Sequence, residues 1–557
     1  MTAAETSTEL AGTVVNLPAS EAVAREVGSK DLYVRQSSGL VRTVSARTAL
    51  LANLVGMGII VNFFWVTEAS AFYPNANLID TVAIGVLINV AVGYVYWMLA
   101  SAMPRSGGDY IFVGRIFHPS VGLGVNLLFS VVFVTWAGLF AYFTAFYAVP
   151  TMLAAYTLAG GGVGALNAAT TFLGTATNGW LTNNVFWVGL LVLLLVIAVS
   201  FLPTKWIFRV SIALFAGSAI VFVLMIGILL ATPQSAFAAD FNSNPIYGTS
   251  YQSLVQNAPI TTTGTFFGVV YTMLSFIGYA NSSYYGGEIR GSPTRAQGLA
   301  IFGAPLIFAA LIAGLYAATY YSMGRGFLIG ISSAYFTTGG TAWPGPLYLA
   351  AYIVHNPVLA AFLSFGLVLT FFGFSLIYFV LPTRNLFAWS FDRVLPSFFT
   401  RVTRNGVPWV AVLTLAIGAF ISLVIQTFYP TYFDYATLGY SNFGFWFAVG
   451  IVCLAGALFP FIRKSMFAQA PAIVRARLGP VPVLTIVGVA AFAASWFVSY
   501  ASSTGNYLGI TSGYSVNDLL FLPIVFVLGI VIYFVSYAIQ RARGVPVDLI
   551  SKELPPD

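Results

Sequence analysis

The chain is 557 residues long with a formal net charge of +7, yet only 7% of its residues are charged and 59% are hydrophobic. Ordinary soluble domains carry roughly 25% charged residues, so a water-soluble fold is excluded and an all-α polytopic membrane protein is predicted. One cysteine, Cys453, excludes a disulfide framework; His118 and His355 stand far apart, and no HExxH, CxxC or GxxxxGK-Ser/Thr run occurs, which leaves metal, redox and ATP-hydrolysing chemistry without machinery.

Residues 1–47 are polar, carry Arg25, Lys30, Arg35, Arg42 and Arg47, and precede any apolar run, so they read as a cytoplasmic tail and not as a signal peptide. About twelve spans follow, each an apolar run near the length that crosses a bilayer. The first five cover roughly 48–67, 80–103, 119–149, 183–202 and 206–231. The next five cover 263–286, 297–323, 350–381, 408–427 and 435–461, and the last two 480–500 and 517–540. Residues 541–557 form a second polar tail.

Arginine and lysine fix the direction. With the N-terminus in the cytoplasm, Arg105, Arg115, Lys205, Arg209, Arg290, Arg295, Arg384, Arg393, Arg401, Arg404, Arg463, Lys464, Arg475, Arg477, Arg541, Arg543 and Lys552 all fall inside. Arg325 falls outside, with Glu68, Asp80, Asp240, Asp434 and Asp518. The basic balance is thus a topology signal and not a nucleic-acid footprint. A multi-pass cell-membrane protein with both termini cytoplasmic is predicted, its partners being lipid and a small solute.

Two spans are interrupted. Gly56 and Gly58 break the apolar run 51–61, and Gly278 sits in a second run, 271–281, roughly 220 residues later. Lipid cannot hydrogen-bond a freed backbone, so such breaks belong where the chain lines a cavity. Two of them in corresponding halves point to the binding site of a secondary transporter.

Short motifs carry a family resemblance. Val55-Gly-Met-Gly-Ile59, Met103-Pro-Arg-Ser-Gly-Gly-Asp-Tyr110 with Arg115 and His118-Pro119, Ser275-Phe-Ile-Gly278, Gly287-Glu-Ile-Arg290 with Pro293, and Arg384 with Leu395-Pro396 and Pro408 lie in order along residues 48–460. Together they resemble the amino acid–polyamine–organocation permeases. The resemblance implies a LeuT-like 5+5 inverted repeat, here 48–232 and 263–461, with two peripheral helices in 480–540. It implies a transporter of amino acids and not an enzyme, with a channel or receptor-like membrane protein as the alternative of another class. Polyamines, other organic amines and nucleobases remain alternative cargoes of the same fold.

In such a site the substrate carboxylate takes backbone N–H groups around Met57, Gly58 and Ile59, beside Val55 and Gly56, at the positive end of a half-helix. The ammonium takes carbonyls around Leu274, Ser275 and Ile277, next to Gly278. The mapped spans hold no charged side chain near their centres, which favours a zwitterion over a dication. By resemblance Phe129, Phe133, Leu274, Phe276 and Tyr378 line the pocket, favouring an apolar or aromatic substrate side chain. No cofactor is implied. Coupling stays open between sodium, protons and none. Relatives place a lysine in the fifth span where Ser218 stands, and Val55, Thr370 and Ser375 offer oxygens for sodium. Arg105, Asp109, Glu288 and Arg290 are the residues expected to form ion pairs at an inner gate.

Overall fold

The computed structural model describes residues 44–245, 248–403, 406–429, 440–504 and 521–544. The N-terminal tail to residue 43 and the C-terminal tail from 545 lie outside the described residues, as do Arg404, Asp434 and Asp518. Among the described residues the protein is all-α apart from one antiparallel hairpin, β1 (Arg477–Leu478) with β2 (Val481–Pro482), turned at Gly479. Among the described residues ten helices are long and apolar enough to cross a membrane, which makes this a polytopic membrane protein.

The first expected span is two helices, α1 (Ala46–Met57) and α2 (Asn62–Phe72). After it come α3 (Leu78–Ala102), the short α4 (Asp109–Ile116) and α5 (Pro119–Phe143). α5 continues through a π turn, Thr144–Ala148, into α6 (Val149–Leu158). Then follow α7 (Asn184–Ser200), α8 (Thr204–Ala231) and α9 (Thr262–Ser275). Another π turn, Leu299–Gly303, leads into α10 (Ala304–Met323), and α11 (Arg325–Thr338) follows. The chain then forms α12 (Pro357–Phe391), α13 (Trp409–Phe428), α14 (Tyr440–Ile462), α15 (Val483–Thr504) and α16 (Phe521–Ala542).

Local chemistry sets the starts of these helices. Ser45, Asn77, His118, Asn183, Thr261 and Asn356 each accept from an N–H of the first turn, which satisfies groups that lipid would leave bare. Pro119 and Pro357 follow two of these caps, where a missing N–H is harmless.

Four expectations need correction. The fourth span is a helix of 17 residues and the sixth one of 14; at 1.5 Å per residue α9 rises only about 21 Å of the roughly 30 Å hydrocarbon core. The sixth span is short because its helix ends at Ser275, and the chain proceeds through irregular turns to Glu288. The third span, expected over 119–149, runs on to Leu158, since the π turn carries helix past Pro150. The eighth span runs 357–391, not 350–381, because His355 turns left-handed before it (φ 46°) and the helix passes through Pro382. Arg384 is therefore a helix residue and not a loop one.

The core is a belt of rings between the broken spans and α5 and α12. Phe64 stacks on Trp343 with centroids 3.9 Å apart, and Phe143, Tyr147 and Phe371 meet Phe64 at angles. Buried rings combine large apolar area with favourable edge geometry, so a bundle with few charges still packs in one way.

Candidate functional site

α1 ends because Gly58 takes φ 61°, a left-handed conformation that closes the helix. Its N–H donates back to the Leu54 carbonyl at 3.0 Å. Helix resumes at Asn62. Among the described residues, no backbone carbonyl accepts from the N–H groups of Ile59, Ile60 or Val61. They stand at the start of α2, where the helix dipole favours an anion. The expected donors Met57 and Gly58 are thus corrected: Met57 lies within the helix and Gly58 caps it. Only Ile59 of that trio stays free, joined by Ile60 and Val61.

The second break is built on Gly278, φ 112°. The two breaks touch backbone to backbone, since a Cβ on Gly278 would lie 2.5 Å from the carbonyl carbon of Gly56. A polar knot holds them together. Asn53 donates to the carbonyls of Tyr279 and Ala300, and its side-chain oxygen accepts from the Ser282 N–H at 2.8 Å. The Ser282 hydroxyl in turn donates to Gln297 Oε1 at 2.7 Å. Asn53, Ser282 and Gln297 were not singled out from sequence; a buried amide in an apolar span was the available signal.

Between the breaks lies a small hollow lined by Gly56, Met57, Val61, Trp65, Trp136, Phe140, Leu274, Ser275, Ile277, Phe374 and Tyr378. The Tyr378 hydroxyl donates to the Gly56 carbonyl at 2.8 Å and reaches the Ile277 carbonyl at 3.4 Å. Ser275 donates to the Tyr271 carbonyl. Of the residues named from sequence, Gly56, Met57, Leu274, Ser275, Ile277 and Tyr378 are brought together in this lining. Phe129 and Phe133 are not in the lining. Phe133 packs behind Tyr378 at 5.4 Å, and Phe129 packs on Phe445. Trp136 and Phe140, about one and two turns further along the same helix face, take their place. Phe276 points away, onto Phe308. Trp65 and Phe374 were missed; Phe374 sits four residues before Tyr378, on the same face of α12.

A second small hollow is lined by Val55, Gly58, Ile59, Leu214, Phe215, Ser218, Leu369, Thr370 and Gly373. Ser218 Oγ and Thr370 Oγ1 lie 3.4 Å apart there. Ser375 does not join them, because its hydroxyl donates to the Ala137 carbonyl of α5 at 2.7 Å.

At the arginine-rich end the site is shut by backbone pairing. Ser106 bridges to Tyr285, and Val44 to Ile289. The expected ion pairs among Arg105, Asp109, Glu288 and Arg290 are replaced by others. Glu288 faces Arg384 at 3.7 Å, and Arg115 meets Asp392 at 3.2 Å. Asp109 is buried and accepts from the Tyr284 hydroxyl. Arg290 is exposed at the surface. Carboxylates taken out of water turned to the buried donors within reach, not to the loop arginines. Trp343 stacks on Phe64 and donates its indole N–H to the Phe64 carbonyl at 3.2 Å.

Burial pushes the Asp109 carboxyl up from its usual 3.8 to about 6, with hydrogen bonds from Tyr284 and Tyr96 pulling partly the other way. The folded protein thus holds this proton more tightly than the unfolded chain. Its contribution to stability is complete below about pH 3.8 and is lost as pH rises through about 6. Asp109→Asn should flatten the fall in melting temperature between those values; an unchanged slope would assign the effect to another group.

A family model described as amino acid permease matches residues 42–533. The chain belongs to the amino acid permease family. The permease is therefore a membrane transporter of amino acids or related organic compounds, and not an enzyme. It is also similar to the curated "Uncharacterized protein 399" of Sulfolobus islandicus rod-shaped virus 1, 28% identical over 83 residues, which is 15% of this chain. That stretch spans about a fifth (21%) of the viral protein's length.

Proposed function

We propose that this permease is a secondary transporter of amino acids, favouring zwitterions with an apolar or aromatic side chain, and that it works by alternating access. One observation carries the reading: two helix breaks meet in a single hollow whose lining includes Val61, with its free N–H, Gly56 and Ile277, whose carbonyls face the Tyr378 hydroxyl, and aromatic walls, with no charged side chain. The carboxylate goes to the N–H groups at the start of α2 and the ammonium to the carbonyls of Gly56 and Ile277. An unpaired charge would be very costly at that depth, and a dication would call for carboxylates in the lining. The carriers are two inverted five-span repeats, 48–232 and 263–461, with the spans in 480–540 peripheral. Both termini lie in the cytoplasm of a cell-membrane protein. The oxygens of Ser218, Thr370 and the Val55 carbonyl are assigned to a coupling cation, sodium, which would supply the driving gradient.

Uptake of labelled L-phenylalanine and L-leucine into vesicles holding the purified protein tests this. Gly58→Leu should abolish saturable uptake while the protein still inserts, because a Cβ at that position would lie 2.3 Å from the Phe374 ring and φ is positive. Normal uptake by the variant would sink the site. The same vesicles with sodium replaced by potassium report on the second hollow.

A further inference from the structure

The Tyr378 hydroxyl sits on the same two carbonyls, Gly56 and Ile277, that the proposed function gives to the substrate's ammonium. The geometry points to Tyr378 as a resident stand-in for that ammonium, and as the residue that makes the site demand a carboxylate beside the amine. This rests on the reading of the hollow as an amino acid site and says how that site refuses simple amines.

Tyr378 is 2% exposed. Phe133 stacks on it at 5.4 Å, Trp136 meets it edge-on at 5.0 Å, and Phe374 lies at 5.7 Å. The hydroxyl therefore has no path to water by rotation about its own side chain. An incoming amine that takes both carbonyls displaces this O–H from its acceptors. Ser275 is the other lining side chain that carries an oxygen; its hydroxyl donates to the Tyr271 carbonyl at 3.0 Å, and among the described residues no hydrogen bond joins it to Tyr378. A buried donor stripped of its acceptor weakens the complex, by on the order of ten-fold or more in affinity. An α-amino acid brings a replacement acceptor, since its carboxylate and amine share one carbon. A bare amine with the same side chain brings none. The exchange of hydrogen bonds balances for the zwitterion and fails for the amine.

Pairs differing only in the carboxylate test this: L-phenylalanine against 2-phenylethylamine, and L-leucine against 3-methylbutylamine, by calorimetry on the purified full-length protein. The wild type should bind each zwitterion at least about ten-fold more tightly than its amine. Tyr378→Phe should narrow that ratio by a similar factor, with the amine gaining. A wild type that binds amine and zwitterion equally overturns the inference without any variant having to fold. A folded Tyr378→Phe that keeps the full ratio overturns it too, assigns the preference to the α2 N–H groups, and leaves the transporter reading standing. A wild type that binds none of the four ligands overturns the apolar amino acid reading and this inference together.

Discussion

Gly278→Ala is expected to abolish transport and to destabilise the protein by about 2–4 kcal/mol. Two separate faults add. The residue sits at φ 112°, where a side chain is strained in any surroundings. Its Cβ would also lie 2.5 Å from the Gly56 carbonyl carbon and 2.7 Å from the carbonyl oxygen. Those atoms are backbone, and the Asn53 knot holds the segment facing them, so neither side can give way cheaply. Any separation would pull the Gly56 and Ile277 carbonyls apart. Gly314→Ala is the matched control. It lies within α10 and a Cβ there meets nothing within 4 Å; alanine should stabilise that helix slightly and leave uptake intact. Melting curves and vesicle uptake on both variants decide the matter, and near-normal uptake by Gly278→Ala would mean the breaks need not touch.

The second large effect is asymmetric. Arg384→Met should cost about 3–5 kcal/mol, because it leaves the Glu288 carboxylate buried without its cation. Burial already pushes the Glu288 carboxyl upward, with Arg384 as the opposing influence. Glu288→Gln should cost less, about 1 kcal/mol, the order of one hydrogen bond. Arg384 keeps other company: Thr383 and Thr204 hydroxyls at 3.0 Å each, and the Tyr285 ring 5.5 Å below its guanidinium. The double variant should recover most of the Arg384→Met loss, since no buried charge remains unpaired. Equal losses for the two single variants, read from melting in detergent, would show that the pair does not govern this end of the molecule.

Much of this arrangement was legible in the residues because lipid makes backbone breaks conspicuous. Gly58 and Gly278 mark the two interruptions, and both carry positive φ. Gly56 was legible for a different reason: it provides the close approach, with a Cβ there falling 2.2 Å from Asn281 Nδ2. The lining was less legible. Helical phase in α5 follows from packing against its neighbours, and an apolar span shows no polar stripe to mark its face. The expectation therefore settled on Phe133 where Trp136 and Phe140 belong. Ion pairs were harder still. Asp109 and Arg105 are near in sequence, but burial sends Asp109 to a tyrosine. The partner of Glu288 comes from Arg384, almost a hundred residues away.

Hydrogen bonds sort the centre of the molecule into two bodies. Asn53, Ser282 and Gln297 sew the broken spans into one. Ser375 to the Ala137 carbonyl, Asn385 to Ser130 and Trp389 to Asn126 sew α12 to α5 in the other. Across the seam the neighbours are largely rings, which slide over one another more readily than bonded groups part. Near its middle the seam is stitched by the phenol of Tyr378, so whatever unfastens that stitch also loosens the hold of one body on the other.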